Sequence, residues 1–186
     1  APEMADGEDG YHREISKVLA EVLKTMMPQG EKEELSILVV GLGNREVTPD
    51  ALGPETVGNL MITRHVIREY GKAALGREKV HQVSGIVPGV MAQTGMETLE
   101  IVKGIVEETK PDLVVAIDAL AARSSKRLNR TIQISDAGIH PGSGVGNHRN
   151  SLTKETLGIP VVALGVPTVV NAATIIYDAT GNSDAI

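Results

Sequence analysis

The chain has 186 residues, of which 41% are hydrophobic and 23% charged, a globular composition that excludes a disordered or fibrous protein. The absence of cysteine excludes disulfides, thiolate metal sites and a cysteine nucleophile, and fits a reducing compartment. The net charge of −6, the absence of Phe and Trp and the lack of a run of ~18 apolar residues argue against nucleic acids and membranes as partners, and we expect a cytoplasmic protein.

Residues 1–35 are predicted to form an acidic N-terminal segment with one amphipathic helix. The segment has nine acidic and four basic residues. Apolar side chains from Ile15 to Met26 recur at helical spacing and predict a helix over residues 11–27, which Pro28 and Gly30 end. We therefore place a boundary at residue 35, before a catalytic domain of residues 36–180.

In the second segment, apolar runs typical of buried strands alternate with amphipathic stretches typical of helices. Strands are predicted at residues 36–41, 79–87, 113–117, 131–135 and 159–164. Helices are predicted to begin at Pro54, Met96 and Pro167. The order predicts an α/β fold, a three-layer sandwich in which helices flank a mostly parallel, mixed sheet. The strand at 131–135 is the one expected to be antiparallel.

Two aspartates are expected at the edge of this sheet where ligands bind. Asp50 lies in the loop after the strand at 36–41, and Asp118 directly ends the strand at 113–117. Ligands of open parallel sheets bind beyond the carboxyl ends of the strands. Two neighbouring carboxylates push one of them toward its protonated form, which is the arrangement that acid–base hydrolysis needs. The spacing alone also allows a structural interpretation, in which both aspartates cap turns or helices.

A glycine-rich loop at residues 138–147 adds further candidates. No Lys-Ser/Thr follows it, so it is not a P-loop, and its glycines permit tight turns or close approach to a ligand. Backbone N–H groups near Gly142 and Gly144 are candidates for stabilising an oxyanion. His140 is either structural or, with Asp50 and Asp118, the third ligand of a metal site with nitrogen and oxygen donors.

Two other sequence features are compared with known binding motifs. The Gly-Leu-Gly-Asn sequence at 41–44 lacks the third glycine of a dinucleotide loop, since Glu46 stands at that position, and no cofactor is expected. The basic residues from Arg123 to Arg130 are interpreted mainly as a solvated surface. Arginine suits recognition of a carboxylate, so one of them is a candidate for binding substrate.

Several long motifs, in one order over residues 36–176, resemble the germination protease of endospore-forming bacteria. They lie at residues 39–44, 47–54, 88–91, 116–124, 132–136, 138–147, 157–161 and 165–169. The resemblance implies an endopeptidase that degrades small acid-soluble spore proteins in the spore core during germination. It also implies a zymogen, a homotetramer and a fold unlike that of pepsin.

The resemblance assigns roles to single residues. The two proposed catalytic aspartates of the family correspond to Asp50 and Asp118, so the resemblance implies an atypical aspartic protease. The family's preference for a bond that follows a glutamate implies a basic pocket, for which Arg123 is the candidate. His140, Gly142 and Gly144 are candidates for binding substrate, and the resemblance implies no resident metal.

A more distant resemblance leads to different functions. Hydrogenase maturation endopeptidases share the Gly-x-Gly-Asn strand end, a following acid and a later strand that ends in Asp. A maturation-type endopeptidase that senses metal, or a non-catalytic module that binds peptide or metal, would use Asp50, Asp118 and His140. A third possibility is a structural fragment that forms oligomers and leaves catalysis to a longer chain.

Overall fold

The computed structural model describes residues 9–28, 30, 32–141 and 151–181. The strands are β1 (Ser36–Gly41), β2 (Gln82–Ile86), β3 (Leu113–Ala122), β4 (Gln133–Ser135) and β5 (Val161–Val170). The helices are α1 (Asp9–Met26), α2 (Leu52–Gly58), α3 (Arg64–Tyr70), α4 (Met91–Thr94), α5 (Thr98–Thr109), α6 (Lys154–Leu157) and α7 (Ala172–Thr180).

The five strands form one sheet in the order β2-β1-β3-β5-β4. All neighbours are parallel except β4, which runs antiparallel to β5. The mixed, mostly parallel sheet is therefore confirmed, and so is the antiparallel direction of the strand at its edge. Since β1 and β3 lie inside the sheet, most of their side chains are apolar on both faces, and the buried Asp118 of β3 is the charged exception.

Helices cover both faces of the sheet. On one face, Val102 and Val106 of α5 pack against a buried set that includes Leu38, Val40 and Ala116. The second face buries a smaller cluster against α2, the end of α1 and a few strand side chains. Its members are Leu35, Ile37, Val39 and Ile117, with Met27, Leu52, Val57, Val83, Val115 and Leu164 packed on them. The three-layer α/β prediction is confirmed, while the division of the chain at residue 35 stays a prediction.

The structure corrects two strand ends and one helix start. Strands β3 and β5 run on to Ala122 and Val170, beyond the predicted ends at residues 117 and 164. Pro167 does not start a helix but lies inside β5, where the register with β3 shifts next to Leu120. A proline, which lacks an N–H, is tolerated at such an irregularity.

Helix α7 begins after Pro167, at a residue with a better capping side chain. Asn171 accepts a hydrogen bond from the N–H of Ala173 at 2.9 Å, which satisfies one free donor of the first turn. Within the described ranges, none of the helices has the length and apolar character of a membrane-spanning segment.

Two glycines set how closely α2 approaches the sheet. A Cβ on Gly53 would lie 2.4 Å from the carbonyl oxygen of Leu42 and 2.5 Å from that of Ile117. A Cβ on Gly41 would lie 2.4 Å from the carbonyl oxygen of Gly53. The N–H of Leu42 donates to the carbonyl of Ile117 at 2.8 Å, so β1 ends against β3 at the same point. This close packing fixes the loop between β1 and α2 over the sheet edge.

The close approach predicts that Gly53→Ala lowers the free energy of unfolding by about 1–3 kcal/mol, because backbone atoms must move to admit the methyl group. Gly104→Ala is the matched control. A Cβ at Gly104 in α5 meets nothing within 4 Å, and alanine there should stabilise the helix by about 0.5–1 kcal/mol. Urea denaturation measures both variants. A Gly53→Ala protein as stable as the parent contradicts this packing.

Candidate active site

Asp118 lies where β3 continues past the end of its neighbour β1. The last pair between the two strands joins Gly41 to Ile117, whereas on the other side of β3 Asp118 pairs with Gly165 of β5. Asp118 therefore lies inside its strand. The sequence prediction that Asp118 ends this strand is wrong. The candidate site lies at the carboxyl end of β1, and Asp118 is the first residue of β3 beyond that end.

Asp118 is buried, with 7% of the residue exposed. Strand alternation places it on the same face as Ala116 and Leu120. A Cβ on Gly165 would lie 2.3 Å from Leu120 Cδ1, so the leucine side chain lies over the residue that pairs with Asp118. The Asp118 carboxyl accepts a hydrogen bond from the next residue, because the N–H of Ala119 donates to Oδ1 at 2.9 Å.

Burial is the main cause of an altered ionisation at this residue. Desolvation disfavours the charged carboxylate and raises the pKa of Asp118 to about 7, from an ordinary value of 3.8. The Ala119 hydrogen bond lowers the pKa and offsets part of this effect, while the negative charge of Asp50 raises it further. Asp118 therefore exchanges its proton near neutral pH, as an acid in catalysis must.

Asp50 is held at the end of a short 3₁₀ turn, Thr48–Asp50, in the loop after β1. The N–H of Asn44 donates to Asp50 Oδ2 at 2.6 Å. Gly43 has a φ of 108°, and a Cβ there would lie 2.1 Å from the Asp50 carbonyl oxygen, so only glycine fits. Thr168 of β5 donates to the carbonyl of Pro49 at 2.5 Å and ties the turn to the sheet.

The sequence selected Asp50 and Asp118 as candidates but missed the residues that hold the Asp50 turn. Asn44 accepts hydrogen bonds on Oδ1 from the N–H of Glu46 at 3.0 Å and from Gln93 Nε2 at 3.2 Å. The Gly-Leu-Gly-Asn sequence was the available signal, because a glycine followed by asparagine at a strand end is typical of a tight turn. Thr168 was missed because Pro167 was interpreted as the start of a helix.

The other predicted site residues lie elsewhere or outside the described ranges. His140 is exposed and follows the isolated bridge between Ile139 and Leu152, with its Nδ1 hydrogen-bonded to the buried Ser151 hydroxyl. Arg123 is exposed and directly follows β3. Gly142 and Gly144 lie outside the described residues. The substrate-binding roles of these four residues stay predictions.

The three-ligand metal site predicted as an alternative is not assembled. Asp50, Asp118 and His140 are all described, yet no three histidine, aspartate or glutamate side chains in the described ranges form a group that could hold a metal ion. His140 is hydrogen-bonded to Ser151 beside the 139–152 bridge, whereas Asp118 lies just beyond the end of β1 and Asp50 in the loop that follows β1.

Comparison with known proteins gives consistent family matches. The family described as germination protease matches residues 3–182. A germination protease from a Geobacillus species is 63% identical over 147 residues, 79% of this chain and 39% of the relative. Those from Caldanaerobacter subterraneus and Bacillus mycoides are 51% and 56% identical over 96% and 90% of this chain, and 54% and 43% of the relatives.

This chain thus spans about half the length of the curated relatives it matches. Among solved structures, the [NiFe] hydrogenase maturation protease HycI from Thermococcus kodakarensis aligns with a TM-score of 0.38 at 21% identity. The alignment covers 81% of this chain and 88% of that chain.

The raised pKa of Asp118 makes the stability of the protein depend on pH. The folded protein keeps the Asp118 proton up to about pH 7, whereas the unfolded chain loses it near pH 3.8, so between these values the folded state holds the extra proton. Stability therefore falls as pH rises through this window. Asp118→Asn removes the titration and should stabilise the protein at pH 8 by up to about 4 kcal/mol, but not at pH 3.5.

Urea denaturation between pH 3.5 and 8 measures this difference. Asp178→Asn is the control of opposite sign, because hydrogen bonds from Ser125 lower the pKa of Asp178 and favour its charged form. Removing that charge should destabilise the protein at neutral pH. A stability difference between Asp118→Asn and the parent that does not change with pH would show that Asp118 is not desolvated.

Proposed function

Since this chain belongs to the germination protease family, we propose that it hydrolyses peptide bonds, with Asp50 and Asp118 as its acid–base pair. The observation that carries the proposal is the burial of Asp118 at the end of β1, within the electrostatic influence of Asp50. The two acids have different surroundings, and such a difference separates the roles of acid and base.

Asp118 is the acid and Asp50 the base in this proposal. Asp118 is desolvated and keeps its proton near neutral pH, whereas Asp50 is only half-buried and accepts the Asn44 N–H. The Asn44 N–H engages Oδ2 of Asp50, and the proposal assigns the acceptance of the water proton to Oδ1. The tie between Thr168 and Pro49 keeps the turn from moving away from β5.

The reaction balances with these two groups. A water molecule attacks the carbonyl carbon and gives a proton to Asp50, while Asp118 donates its proton to the carbonyl oxygen. The resulting diol collapses as the C–N bond breaks. The departing nitrogen takes the proton from Asp50, and a diol hydroxyl returns a proton to Asp118, so both residues regain their starting states.

The substrate and assembly of the protein are proposed from the family resemblance. We propose small acid-soluble spore proteins as substrates, hydrolysed in the spore core during germination. Arg123, exposed just beyond β3, is the candidate to pair with a substrate glutamate. A zymogen and a homotetramer belong to the same proposal.

Replacing either acid should remove hydrolysis. Asp50→Asn and Asp118→Asn are each expected to lower kcat by roughly 10²-fold or more on a spore-protein substrate, because general acid–base catalysis contributes at least that much. Asp136→Asn, at an exposed position after β4, is the matched control and should retain full activity. Chelator should have no effect on the parent. Near-parental turnover in either variant would remove that aspartate from the mechanism.

The pH dependence of hydrolysis tests the assignment of the acid. Because Asp118 acts in its protonated form, kcat/KM should fall as pH rises above about 7, tenfold per pH unit at the alkaline end. Initial rates between pH 5 and 9 measure this limb, with stability of the protein at each pH as the control. A rate that stays level or increases from pH 7 to 9 would contradict a protonated Asp118.

A further inference from the structure

The motif at residues 88–91 has no part in the proposed reaction, yet the segment that it begins is tied to the loop of Asp50. Residues 88–95 follow β2 and include the short helix α4. Nε2 of Gln93 in α4 donates to Oδ1 of Asn44 at 3.2 Å, which joins segments 49 residues apart in sequence. Asn44 is the residue whose N–H donates to Asp50 Oδ2 at 2.6 Å. A chain of hydrogen bonds therefore leads from α4 to the candidate base.

The backbone before α4 holds Gln93 in place. Oε1 of Gln93 accepts the N–H of Val90 at 3.3 Å, and the N–H of Gln93 returns to the carbonyl of Val90 at 2.9 Å. Gly89 has a φ of 74°, and a Cβ there would lie 3.1 Å from the same Oε1. Glycine at position 89 therefore suits both the turn of the chain and the space that the Gln93 side chain occupies.

Two backbone donors fix how the two amide side chains meet. The N–H of Glu46 donates to the Asn44 side chain at 3.0 Å, so the atom that it meets must be the oxygen. The N–H of Val90 likewise requires the oxygen of Gln93, which leaves the NH₂ group of Gln93 facing Asn44. Position 93 must therefore supply a donor to Asn44 and an acceptor to Val90. Glutamine supplies both, whereas a glutamate carboxylate would supply acceptors alone.

Asn44 is the point at which the loop of the base closes on itself. Its carbonyl accepts the N–H of Val47 at 3.1 Å, and its own N–H donates to Asp50. Thr168 holds the turn from β5, and Gln93 holds Asn44 from the segment after β2. Because β2 and β5 lie on opposite sides of β1 in the sheet, these two side chains hold the loop from two directions.

We propose that Gln93 is a positioning residue for the base Asp50 and acts through Asn44. The inference rests on the proposed peptidase function and adds to it a residue that does not touch the reacting atoms. A catalytic group that moves by about 1 Å can lose about 10²-fold in rate. Loss of one exposed hydrogen bond should move the turn by less, so we expect about a 10-fold effect on kcat and little effect on KM.

Two substitutions at position 93 and a charge control test this role on a spore-protein substrate. Gln93→Glu keeps the acceptor for Val90 and removes the donor to Asn44, and Gln93→Met removes both without adding a charge. Each should lower kcat about 10-fold, with KM within ~2-fold of the parent. Ala92→Glu is the matched control, because it adds the same charge at an exposed neighbouring position and should retain the parental kcat. A parental kcat in either Gln93 variant would overturn the proposal.

A double-mutant cycle tests whether Gln93 acts through Asn44. Asn44→Ala keeps the backbone N–H and removes the side-chain oxygen that Gln93 contacts. In that background Gln93→Met should change kcat by less than ~2-fold, because the contact no longer exists. If the loss of about 10-fold persists in the Asn44→Ala protein, Gln93 acts by another route and the proposal is wrong.

An NMR readout tests the same link without requiring hydrolysis. The short hydrogen bond to Asp50 should place the Asn44 amide proton downfield. Gln93→Glu should move this signal upfield, whereas Ala92→Glu should leave it in place. Unchanged methyl signals of the buried Leu38 confirm folding in each variant. An Asn44 signal that is the same in Gln93→Glu and the parent would contradict the link.

The two proposals fail in distinguishable ways. If the parent protein hydrolyses no spore-protein substrate but Gln93→Glu moves the Asn44 signal, the peptidase proposal fails and the link from Gln93 to the Asp50 turn stands. If hydrolysis depends on Asp50 and Asp118 while Gln93→Glu changes neither kcat nor the Asn44 signal, the positioning role fails and the peptidase proposal stands.

Discussion

A carboxyl group held among apolar side chains is the constraint on which the site depends. Asp118 continues the line of Val114 and Ala116, which belong to the hydrophobic core on the α5 face of the sheet. Since β1 has ended at this point, the chain beyond its end is the loop that carries Asp50. Because water is largely excluded, the carboxyl keeps its proton, and the fold accepts a cost in stability at neutral pH.

Close contacts and hydrogen bonds hold the backbone around this site in place. Gly41 and Gly53 bring β1 and α2 into contact with the end of the sheet, and Gly43 lets the chain turn back on Asp50. Hydrogen bonds from Asn44 and Thr168 then fix the turn from two sides.

The sequence predicted the parts of this arrangement that depend on composition and period. Apolar runs identified β1 and β3, and the rule for strand ends selected Asp50 and Asp118 together. The length of β3 was not predictable, because the run from 113 to 117 is interrupted by Asp118 and continues through alanines. Pro167 was misplaced because a proline suits a helix start as well as an irregular strand. The roles of Gly53, Asn44 and Thr168 depend on contacts between distant segments, which periodicity does not contain.

The most direct test is the ionisation of Asp118 itself, followed by NMR of its side-chain carboxyl carbon as pH is varied. The account predicts a midpoint near pH 7 in the parent protein. In Asp50→Asn the midpoint should be lower, because a neighbouring negative charge has been removed while the burial remains. A midpoint close to the ordinary value of 3.8, or one that does not move when Asp50 is replaced, would contradict a desolvated acid paired with Asp50.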